Sequence, residues 1–308
     1  MSYSVTEELP GVWFVDLRVS EGENAFIGAF IVASGGEAAC VELGPASTAH
    51  KMACAVEELG IDTEQVKYLL PTHLHIDHAG AAGSLLKKYP QASVLAHPRA
   101  VPHMIDPDRA LWQASVDVLG PLAELYGKPE PVPAERIITF EEGMTLEVGR
   151  LKLNVHYTPG HASHHMSIML EPGALLFPGD AAGCYLPGLD IIIPITPSPF
   201  RFEAELDSLE KLISLEPRTN AYTHFGFTTQ PRHYMEAQRE QLFSWKEIFK
   251  EIVAKDIINN NDIFSYLAER DENIKKLLEE AQMGSAFLKE TALSFSGLID
   301  TVKDEAGG

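Results

Sequence analysis

Three imidazoles and a carboxylate lie close together in the segment 72–80 (THLHIDHAG). Side chains alternate along an extended stretch, so His73 and His75 point to the same side, while Asp77 and His78 follow where the chain turns. Neutral imidazole nitrogens and carboxylate oxygens suit zinc, with iron or manganese as alternatives, and no thiolate favours a softer metal. The segment therefore predicts a metal site with two ligands for one ion and two for a neighbouring ion.

Three further residues with ligating side chains each follow an apolar, strand-like run. His161 ends Thr-Pro-Gly-His, Asp180 ends Phe-Pro-Gly-Asp, and His224 lies in Tyr-Thr-His-Phe-Gly. Alone, each is typical of a turn in which the side chain caps the backbone. Active sites of layered folds gather at strand ends, so together with the first segment these residues predict one composite site.

Composition narrows the possible partners. The 308-residue chain carries 24 basic and 44 acidic side chains, a formal charge of -20 that repels nucleic acid and anionic lipid surfaces. Its sequence has no apolar run of membrane-spanning length, and its first residues lack the order of a signal peptide. Cys40, Cys54 and Cys184 form no CxxC pair, which indicates reduced thiols, with Cys40 in the core. We expect a cytoplasmic protein whose partner is a small-molecule substrate, not nucleic acid or a membrane.

Apolar periodicity places these segments on strands and helices. A Ser-Gly-Gly-Glu turn between two apolar runs indicates a hairpin. A helical pattern from Leu111 to Tyr126 lies inside a proline-bounded stretch, about 98–133, which we interpret as a helical insertion. The other elements predicted before residue 98 are strands at 12–17, 26–33, 38–43, 66–70 and 94–97 and helices at 46–59 and 80–89.

The second half of the chain predicts another sheet and a helical end. We expect residues 231–308 to form a C-terminal helical extension that is broken near Asn260 and packs on a domain spanning 1–230. Its apolar face around Trp245 packs on that domain or, alternatively, forms a homodimer contact. The second-half elements are strands at 136–140, 144–148, 151–157, 166–170, 174–178 and 219–223, a helix at 202–215 and helices from 232 to 302.

The ordered set His73-x-His75-x-Asp77-His78, His161, Asp180 and His224 resembles the metallo-beta-lactamase superfamily, in particular its glyoxalase II-like hydrolases. The resemblance extends from residue 10 to residue 230. It implies an α/β (α+β) fold, a four-layer αβ/βα sandwich with two sheets face to face and helices outside. The helical insertion and the C-terminal helical extension would be added to that sandwich.

Carried over residue by residue, the resemblance implies two ligand sets and a bridging carboxylate: His73, His75 and His161 for the first ion, Asp77, His78 and His224 for the second, and Asp180 between them. Two divalent ions, zinc first, would lower the pKa of a shared water toward about 7. The resulting metal-bridging hydroxide would attack a carbonyl carbon, oriented by Asp77, which also passes a proton to the leaving group. We therefore expect a metal-dependent hydrolase of a small ester-type substrate, a thioester or a lactone.

Four further residues can be compared with the family's pattern around the metal ligands. The family usually has an aspartate in an Asp-x-Gly turn, whereas this chain offers Glu42 to orient a ligand histidine. His165 resembles the family's supporting histidine, and the additional His164 is interpreted as a surface or supporting residue. Tyr185 resembles in placement the tyrosine that lactonases of this superfamily set over the lactone carbonyl, and it is otherwise a packed loop aromatic.

The substrate pocket is predicted to be mostly apolar with few polar anchors. The chain has no match to the basic glutathione-binding cluster of glyoxalase II enzymes, which disfavours a glutathione thioester. The predicted pocket residues are His103, Trp112, Tyr126, Phe200, Arg201 and Phe225.

Other readings of the motif remain open. Persulfide dioxygenases share the scaffold but use mononuclear iron, and the complete second ligand set here favours two metals and hydrolysis. Flavodiiron reductases have Glu where this chain has His75 and carry a flavodoxin domain. Nuclease branches share the first motif, but the charge of -20 disfavours them. A purely structural metal is disfavoured because structural zinc sites are closed and usually cysteine-rich.

Overall fold

The computed structural model of the chain describes residues 3–19, 27–171, 174–279, 288 and 291–307. The start of the predicted strand at 26–33 and the turn at 172–173 lie outside these residues. Part of the predicted C-terminal helical stretch, at 280–287 and 289–290, lies outside them as well. In the described part of the chain, no helix is both long enough and apolar enough to cross a membrane.

The first sheet has seven strands, which neighbour one another in chain order. The first four strands pair antiparallel, and the fourth to the seventh pair parallel. The seven strands are β1 (Ser4–Leu9), β2 (Val12–Asp16), β3 (Gly28–Ser34), β4 (Glu37–Val41), β5 (Val66–Leu70), β6 (Ser93–Ala96) and β7 (Ile137–Thr139).

The second sheet has six strands in the order β15-β14-β11-β10-β9-β8, and β11 pairs parallel with β14. A separate two-stranded ribbon follows β11 along the chain. The strands of the second sheet are β8 (Thr145–Val148), β9 (Leu151–Tyr157), β10 (Met166–Glu171), β11 (Leu175–Phe177), β14 (Thr219–Tyr222) and β15 (Gly226–Thr228), and the ribbon is β12 (Cys184–Leu186) and β13 (Ile191–Ile193).

Helices cover both sheets. The long helix after the second sheet begins with a proline at its first position, where the missing N–H costs no hydrogen bond. The helices of the described residues are α1 (Ala49–Glu58), α2 (Ile76–Ala79), α3 (Ala82–Leu86), α4 (Val101–Ile105), α5 (Leu111–Leu119), α6 (Pro121–Tyr126), α7 (Phe202–Ser214), α8 (Pro231–Ala254), α9 (Asn260–Ala268), α10 (Glu272–Glu279) and α11 (Phe295–Gly307).

Strand residues alternate between two cores, which creates the layers. On β3, Phe30 and Val32 face the core between the sheets, while Ala29 and Ile31 face the core under α1 and α3. On β11, Phe177 faces the inter-sheet core and Leu176 faces the helices of the second half. Both faces are therefore apolar, as sheets covered on both sides require. The predicted four-layer αβ/βα sandwich with a C-terminal helical region is confirmed.

Most predicted elements form, with informative exceptions. The strand predicted at 136–140 belongs to the first sheet and not to the second half, because Ile137 pairs with Val94 in parallel. The helical pattern from Leu111 to Tyr126 is two helices, because Gly120 adopts a φ of 58° and Pro121 begins a new helix. The short strands β1, β12, β13 and β15 were not predicted, since each is too brief or too irregular to show an alternating pattern.

The predicted hairpin is present, and Cys40 is buried as expected. Gly35 and Gly36 link β3 to β4 with φ values of 60° and 83°, the left-handed pair that a two-residue hairpin turn requires. Cys40 is buried, and burial raises the pKa of its thiol to about 12. Cys54 is exposed. Cys40 is thus an inert core residue, as its sequence context predicts.

Candidate metal centre

The segment 72–80 leaves the first sheet at the end of β5. His73 and His75 lie on the connection, and His75 has extended backbone angles as it precedes α2. Asp77 and His78 lie on α2, where the helix turns them back toward the same point. The change from extended chain to helix within these residues lets four adjacent side chains face two positions.

The other three ligating side chains come from the second sheet. His161 follows β9, Asp180 lies on a one-turn 3-10 helix after β11, and His224 follows β14. Because β11 and β14 are parallel neighbours, their carboxyl ends bring Asp180 and His224 to one edge. The seven residues predicted as ligands therefore meet at the edge where the two sheets face each other.

The first ligand group is His73, His75, His161 and Asp180, whose ligating atoms lie within 4.8 Å of one another. His73 Nε2 is 2.9 Å from His75 Nδ1 and 3.2 Å from His161 Nε2, and the last two atoms are 3.0 Å apart. Asp180 Oδ2 is 3.3 Å from His161 Nε2 and 3.7 Å from His73 Nε2. Three imidazole nitrogens and a carboxylate oxygen thus converge on one point.

The second ligand group is Asp77, His78 and His224, with the same 4.8 Å limit between ligating atoms. His224 Nε2 lies 3.3 Å from His78 Nε2, and Asp77 Oδ2 lies 3.4 and 3.5 Å from these two nitrogens. Asp180 faces this group too, since its Oδ2 is 3.4 Å from His78 Nε2 and its Oδ1 is 3.8 Å from His224 Nε2. Asp180 therefore lies between the two groups, where a bridging ligand would be needed.

The residues fit a pair of divalent ions. Asp180 is 3% exposed, yet its Oδ1 has no hydrogen-bond partner within the described structure. An unpaired buried carboxylate oxygen is costly unless a cation binds it. A donor set of five imidazoles and two carboxylates, without a thiolate, matches zinc, iron or manganese chemistry. The two His/Asp groups are consistent with a dinuclear metal site.

Glu42 fixes the orientation of His78 from beneath the site. Its Oε1 lies 3.0 Å from His78 Nδ1 and accepts hydrogen bonds from the hydroxyls of Thr72 and Thr223 at 2.7 and 2.9 Å. Its Oε2 accepts a hydrogen bond from the Thr72 N–H. A proton held on His78 Nδ1 by Glu42 leaves Nε2 as the ligating nitrogen. Glutamate therefore occupies the orienting position where the family usually has aspartate.

His165 supports the Asp180 turn. Its Nε2 accepts the Asp180 N–H at 3.1 Å, while its Nδ1 lies 2.9 Å from the Thr158 hydroxyl. Gly179, with a φ of 57°, allows this contact, because a Cβ there would lie 2.6 Å from His165 Nε2. His165 thus supports the backbone of Asp180 rather than another imidazole.

His161 is held by two contacts on the side away from the first ligand group. Its Nδ1 donates to the Ile195 carbonyl at 2.9 Å, so Nε2 is left to ligate. Its backbone N–H donates to Glu205 Oε2 at 2.7 Å. Glu205 is 1% exposed, and burial raises the pKa of its carboxyl well above the ordinary value. The sequence analysis missed Glu205, whose only signal is one acidic residue on the apolar face of α7.

The imidazoles of the first ligand group are neutral at neutral pH. Burial lowers the pKa of His73 well below its ordinary value and, together with His161, lowers the pKa of His75 to about 3. Burial also lowers the pKa of His161, although Asp180 acts in the opposite direction. Neutral imidazole is the form that binds a metal, so this group is ready to ligate.

The second ligand group differs in charge. Burial acts to lower the pKa of His78, but the carboxylates of Asp180, Glu42 and Asp77 raise it well above its ordinary value. Burial also acts to lower the pKa of His224, but a hydrogen bond with Asp77 outweighs it and raises that pKa to about 9. The surrounding carboxylates therefore favour positive charge on this group in the metal-free chain, and a cation that binds here would take the place of that charge.

His164 lies beside the site without joining either ligand group. Its Nδ1 is 3.4 Å from the Leu74 N–H, and its ring stacks on His73 with centroids 6.3 Å apart. Burial lowers the pKa of His164 to about 4. It is a half-buried neighbour of the ligands and belongs to neither ligand group.

A cavity of about 300 Å³ opens directly onto the two ligand groups. Asp77, His161 and His224 form its floor together with His75 and Asp180. Its walls come from α5, from the loop after β13 and from the residues just before α11. This volume is near the lower end of the range of about 300 to 1,000 Å³ for small-molecule sites.

The predicted pocket residues are only partly there. Tyr126 lines the cavity. Among the residues that the structure describes, the lining does not include the other five predicted pocket residues. Trp112 packs on the first-half core, His103 Nδ1 is buried without a hydrogen-bond partner, Phe200 packs on the second-half core, Arg201 is exposed before α7, and Phe225 contacts Phe14 edge-on.

Tyr185 also lies outside the described lining of the cavity. Its ring packs against Tyr222 and Tyr234, with centroids 5.5 and 4.7 Å away, and it is 8% exposed. The ring is packed, as in the alternative interpretation, but Tyr185 lies on β12 rather than in a loop. Its neighbour Cys184 lines the cavity instead.

The sequence analysis missed most of the cavity wall. The missed lining residues include Leu111 and Val118 on α5, Pro199 in the loop after β13, and Leu293 before α11. The run of prolines at 194, 197 and 199 directly after an apolar strand was a usable signal for an irregular, exposed loop. The stretch near Leu293 had no signal beyond helical periodicity.

Comparisons with known proteins agree with this geometry. The protein ST1585 of Sulfurisphaera tokodaii, named as a metallo-beta-lactamase fold-containing protein, is 34% identical over 188 residues, 60% of this chain and 69% of that protein. The crystal structure described as ST1585 from Sulfolobus tokodaii superposes with a TM-score of 0.72 at 25% identity, over 94% of this chain and 98% of that one.

More distant relatives carry names of enzymes. A hydroxyacylglutathione hydrolase of Legionella pneumophila is 28% identical over 172 residues, 54% of this chain and 53% of the relative. An N-acyl homoserine lactonase, AttM, of Azorhizobium caulinodans is 30% identical over 131 residues, 41% of this chain and 45% of the relative. This chain thus spans about half the length of these two enzymes.

A sequence profile of the family provides the remaining evidence. The profile described as the Metallo-beta-lactamase superfamily matches residues 29–224, a stretch that runs from β3 to the last of the seven predicted ligands. The match, the four-layer fold and the two ligand groups agree, and we conclude that this chain belongs to the metallo-beta-lactamase superfamily.

Proposed function

We propose that the chain is a hydrolase that uses two divalent metal ions to cleave a small thioester or lactone. The observation that carries the proposal is the convergence of seven ligating side chains into two adjacent groups, with Asp180 facing both. The nitrogen and oxygen donor set supports zinc first, then iron or manganese. The relatives named hydroxyacylglutathione hydrolase and N-acyl homoserine lactonase support an ester-type substrate.

The chain's own residues would hold the two ions, orient the attacking water and transfer protons. Two ions bound here would lower the pKa of a shared water to about 7 and polarise the substrate carbonyl. Asp77 lines the cavity beside the second ligand group. Burial acts to raise the pKa of Asp77, but His78 and His224 hold it well below its usual range. Its carboxylate can therefore accept a hydrogen bond from the attacking water and take part in proton transfer to the leaving group.

Other residues act through the ligands. Glu42 and His165 hold His78 and Asp180 in place, and the Ile195 carbonyl fixes the ring of His161. Tyr185 has no part in the proposed reaction, because its ring lies in the Tyr222 and Tyr234 cluster rather than in the cavity lining.

The test combines metal analysis with turnover. Protein purified without added metal and without oxygen should contain about two metal ions per chain and hydrolyse members of a lactone and thioester panel. Asp180→Asn should lose both metal and turnover, whereas Asp207→Asn, at an exposed aspartate on α7, should keep both.

Two outcomes would redirect the proposal. About one iron per chain, with oxygen consumption in the presence of a persulfide, would favour a persulfide dioxygenase with mononuclear iron. Two metals without turnover on any member of the panel would remove the ester-type substrate from the proposal and leave only the dinuclear centre.

A further inference from the structure

We infer that the cavity beside the metal centre binds a straight-chain, uncharged aliphatic acyl group, and that α5 and the stretch before α11 determine which chain length fits. This inference rests on the proposed hydrolysis of a thioester or lactone and specifies the acyl part of that substrate.

The acidic and imidazole side chains of the described lining all belong to the two ligand groups, and the rest of that lining is mostly apolar. The cavity floor consists of residues from the two ligand groups, where a carbonyl would have to lie for the proposed reaction. Leu111 and Val118 of α5, Ile193 of β13, Pro199 in the loop after it, and Leu293 before α11 contribute aliphatic walls. A substrate with a reactive carbonyl at one end and an apolar tail at the other matches this division.

Charge in the cavity argues in the same direction. Within the described residues, the lining includes no lysine or arginine, and its only acidic residues are Asp77 and Asp180. An anionic tail such as a phosphate or carboxylate would therefore find no counterion there. The net charge of the chain, -20, adds long-range repulsion against such a tail.

The hydroxyls of the described lining belong to Ser115, Tyr126, Ser198, Thr291 and Ser294. Two of them donate hydrogen bonds within the protein. The Ser115 hydroxyl donates to the Leu111 carbonyl at 2.8 Å, and the Ser198 hydroxyl donates to Asp300 at 2.6 Å. A polar chain would have to displace these bonds to gain a donor from either serine. An aliphatic chain leaves both bonds intact.

The exposure of α5 supports a ligand-facing role. This helix contains no buried residue, although five of its nine residues are Leu, Trp or Val. Val118 lines the cavity and is 53% exposed. An apolar surface kept open at the mouth of a site is typical of ligand binding. An acyl chain that enters the cavity would cover Val118.

Calorimetric titration of the metal-loaded protein with butanoate, hexanoate, octanoate and decanoate tests the inference. The carboxylate of each probe mimics the product and anchors at the metals, so the four probes differ only in the tail. We expect the dissociation constant to fall by about fourfold for each buried methylene until the cavity is filled. Equal affinity for all four probes, or no binding of any, would overturn the inference.

Substitutions on α5 locate the tail. Ala114→Trp, at an exposed lining position, should move the best-bound probe to a shorter chain. Val118→Glu should weaken octanoate by about tenfold or more, because it places a charge against the tail, and should leave acetate unchanged. Gln113→Glu is the matched control, since Gln113 is exposed on the same helix and lies outside the described lining.

The outcomes separate this inference from the proposed function. A chain-length dependence without hydrolysis of any ester would keep the acyl site and reject the reaction. Hydrolysis with a flat length series, or with Val118→Glu and Gln113→Glu behaving alike, would keep the reaction and reject the acyl site.

Discussion

The metal centre and the cavity beside it come from different parts of the molecule. The ligating side chains follow β5, β9, β11 and β14, which belong to the two large sheets. The cavity walls come from α5, the loop after β13 and the stretch before α11, all outside those sheets. Asp180 and His78 are buried, whereas α5 contains no buried residue.

In the proposed hydrolase, this difference would place catalysis and substrate selectivity on separate structural elements. Ligand geometry depends on strands that pack on both faces, where small displacements are costly. The substrate-facing wall lies on surface elements, which can vary without moving a ligand. Substitutions in the metal centre should therefore affect catalysis and metal binding, and substitutions in the wall should affect only the choice of substrate.

The largest effect should follow removal of the bridging carboxylate. Asp180→Ala deprives both ligand groups of one oxygen donor, and we expect a loss of about a thousandfold or more in kcat together with loss of metal. Turnover and metal content per chain measure this, with circular dichroism to show that the variant is folded. A folded variant with full activity and unchanged metal content would contradict the dinuclear assignment.

A smaller effect should follow a change one contact away from the metals. Glu42→Gln keeps the size of the side chain but removes the carboxylate that faces His78 Nδ1. We expect metal affinity to fall by about 10- to 100-fold, measured by competition with a chelator. Glu240→Gln, at an exposed position on α8, is the control and should change nothing. Equal metal affinity in both variants would show that Glu42 does not orient a ligand.

Glu205 separates the stability of the centre from its chemistry. Glu205→Ala removes the acceptor of the His161 N–H, and we expect a loss of about 1 to 3 kcal/mol in the free energy of unfolding. Glu205→Gln keeps an acceptor and should lose less. Urea unfolding of metal-free protein measures both changes. An alanine variant as stable as the wild type would mean that this hydrogen bond does not stabilise the loop.

The raised pKa of Glu205 also predicts how the stability difference between the wild type and Glu205→Gln changes with pH. The pKa of Glu205 is higher in the folded protein than its ordinary value of 4.5, so the folded state holds this proton more tightly than the unfolded state. Its contribution is fully present below that value and is lost as the pH rises through the folded pKa. The stability of the wild type should therefore fall relative to Glu205→Gln as the pH rises above 4.5. A constant difference would contradict the raised pKa.

The smallest effect on the protein itself should come from the cavity wall. Val118 is 53% exposed, so Val118→Glu should change the free energy of unfolding by no more than about 0.5 kcal/mol. For a substrate with an apolar acyl chain, KM should rise while kcat and metal content stay unchanged. A large fall in kcat would mean that α5 also supports the metal centre and would remove the contrast between the two regions.

The sequence predicted the sheets well where burial on both faces left continuous apolar runs. Val66–Leu70 and Leu151–Tyr157 have the predicted bounds, and Gly35 and Gly36 indicated the hairpin directly. The break at Gly120 was not predicted, because helical spacing continues across it. The short β7 was placed in the wrong half, because its partner is chosen by packing across the sheet rather than by its neighbours in the chain.

By itself, the sequence determined the candidate ligand types and their order, because four of the seven lie in one short segment, the others each follow a recognisable strand, and the ordered set resembles that of a known family. Only the tertiary structure decided that Tyr126, and not Trp112 or Phe225, lines the cavity. It alone also showed that Glu205 supports His161 and that α5 and Leu293 share one cavity. The physical reason is distance along the chain: contacts between remote segments depend on how layers pack, and no local pattern of residues records that packing.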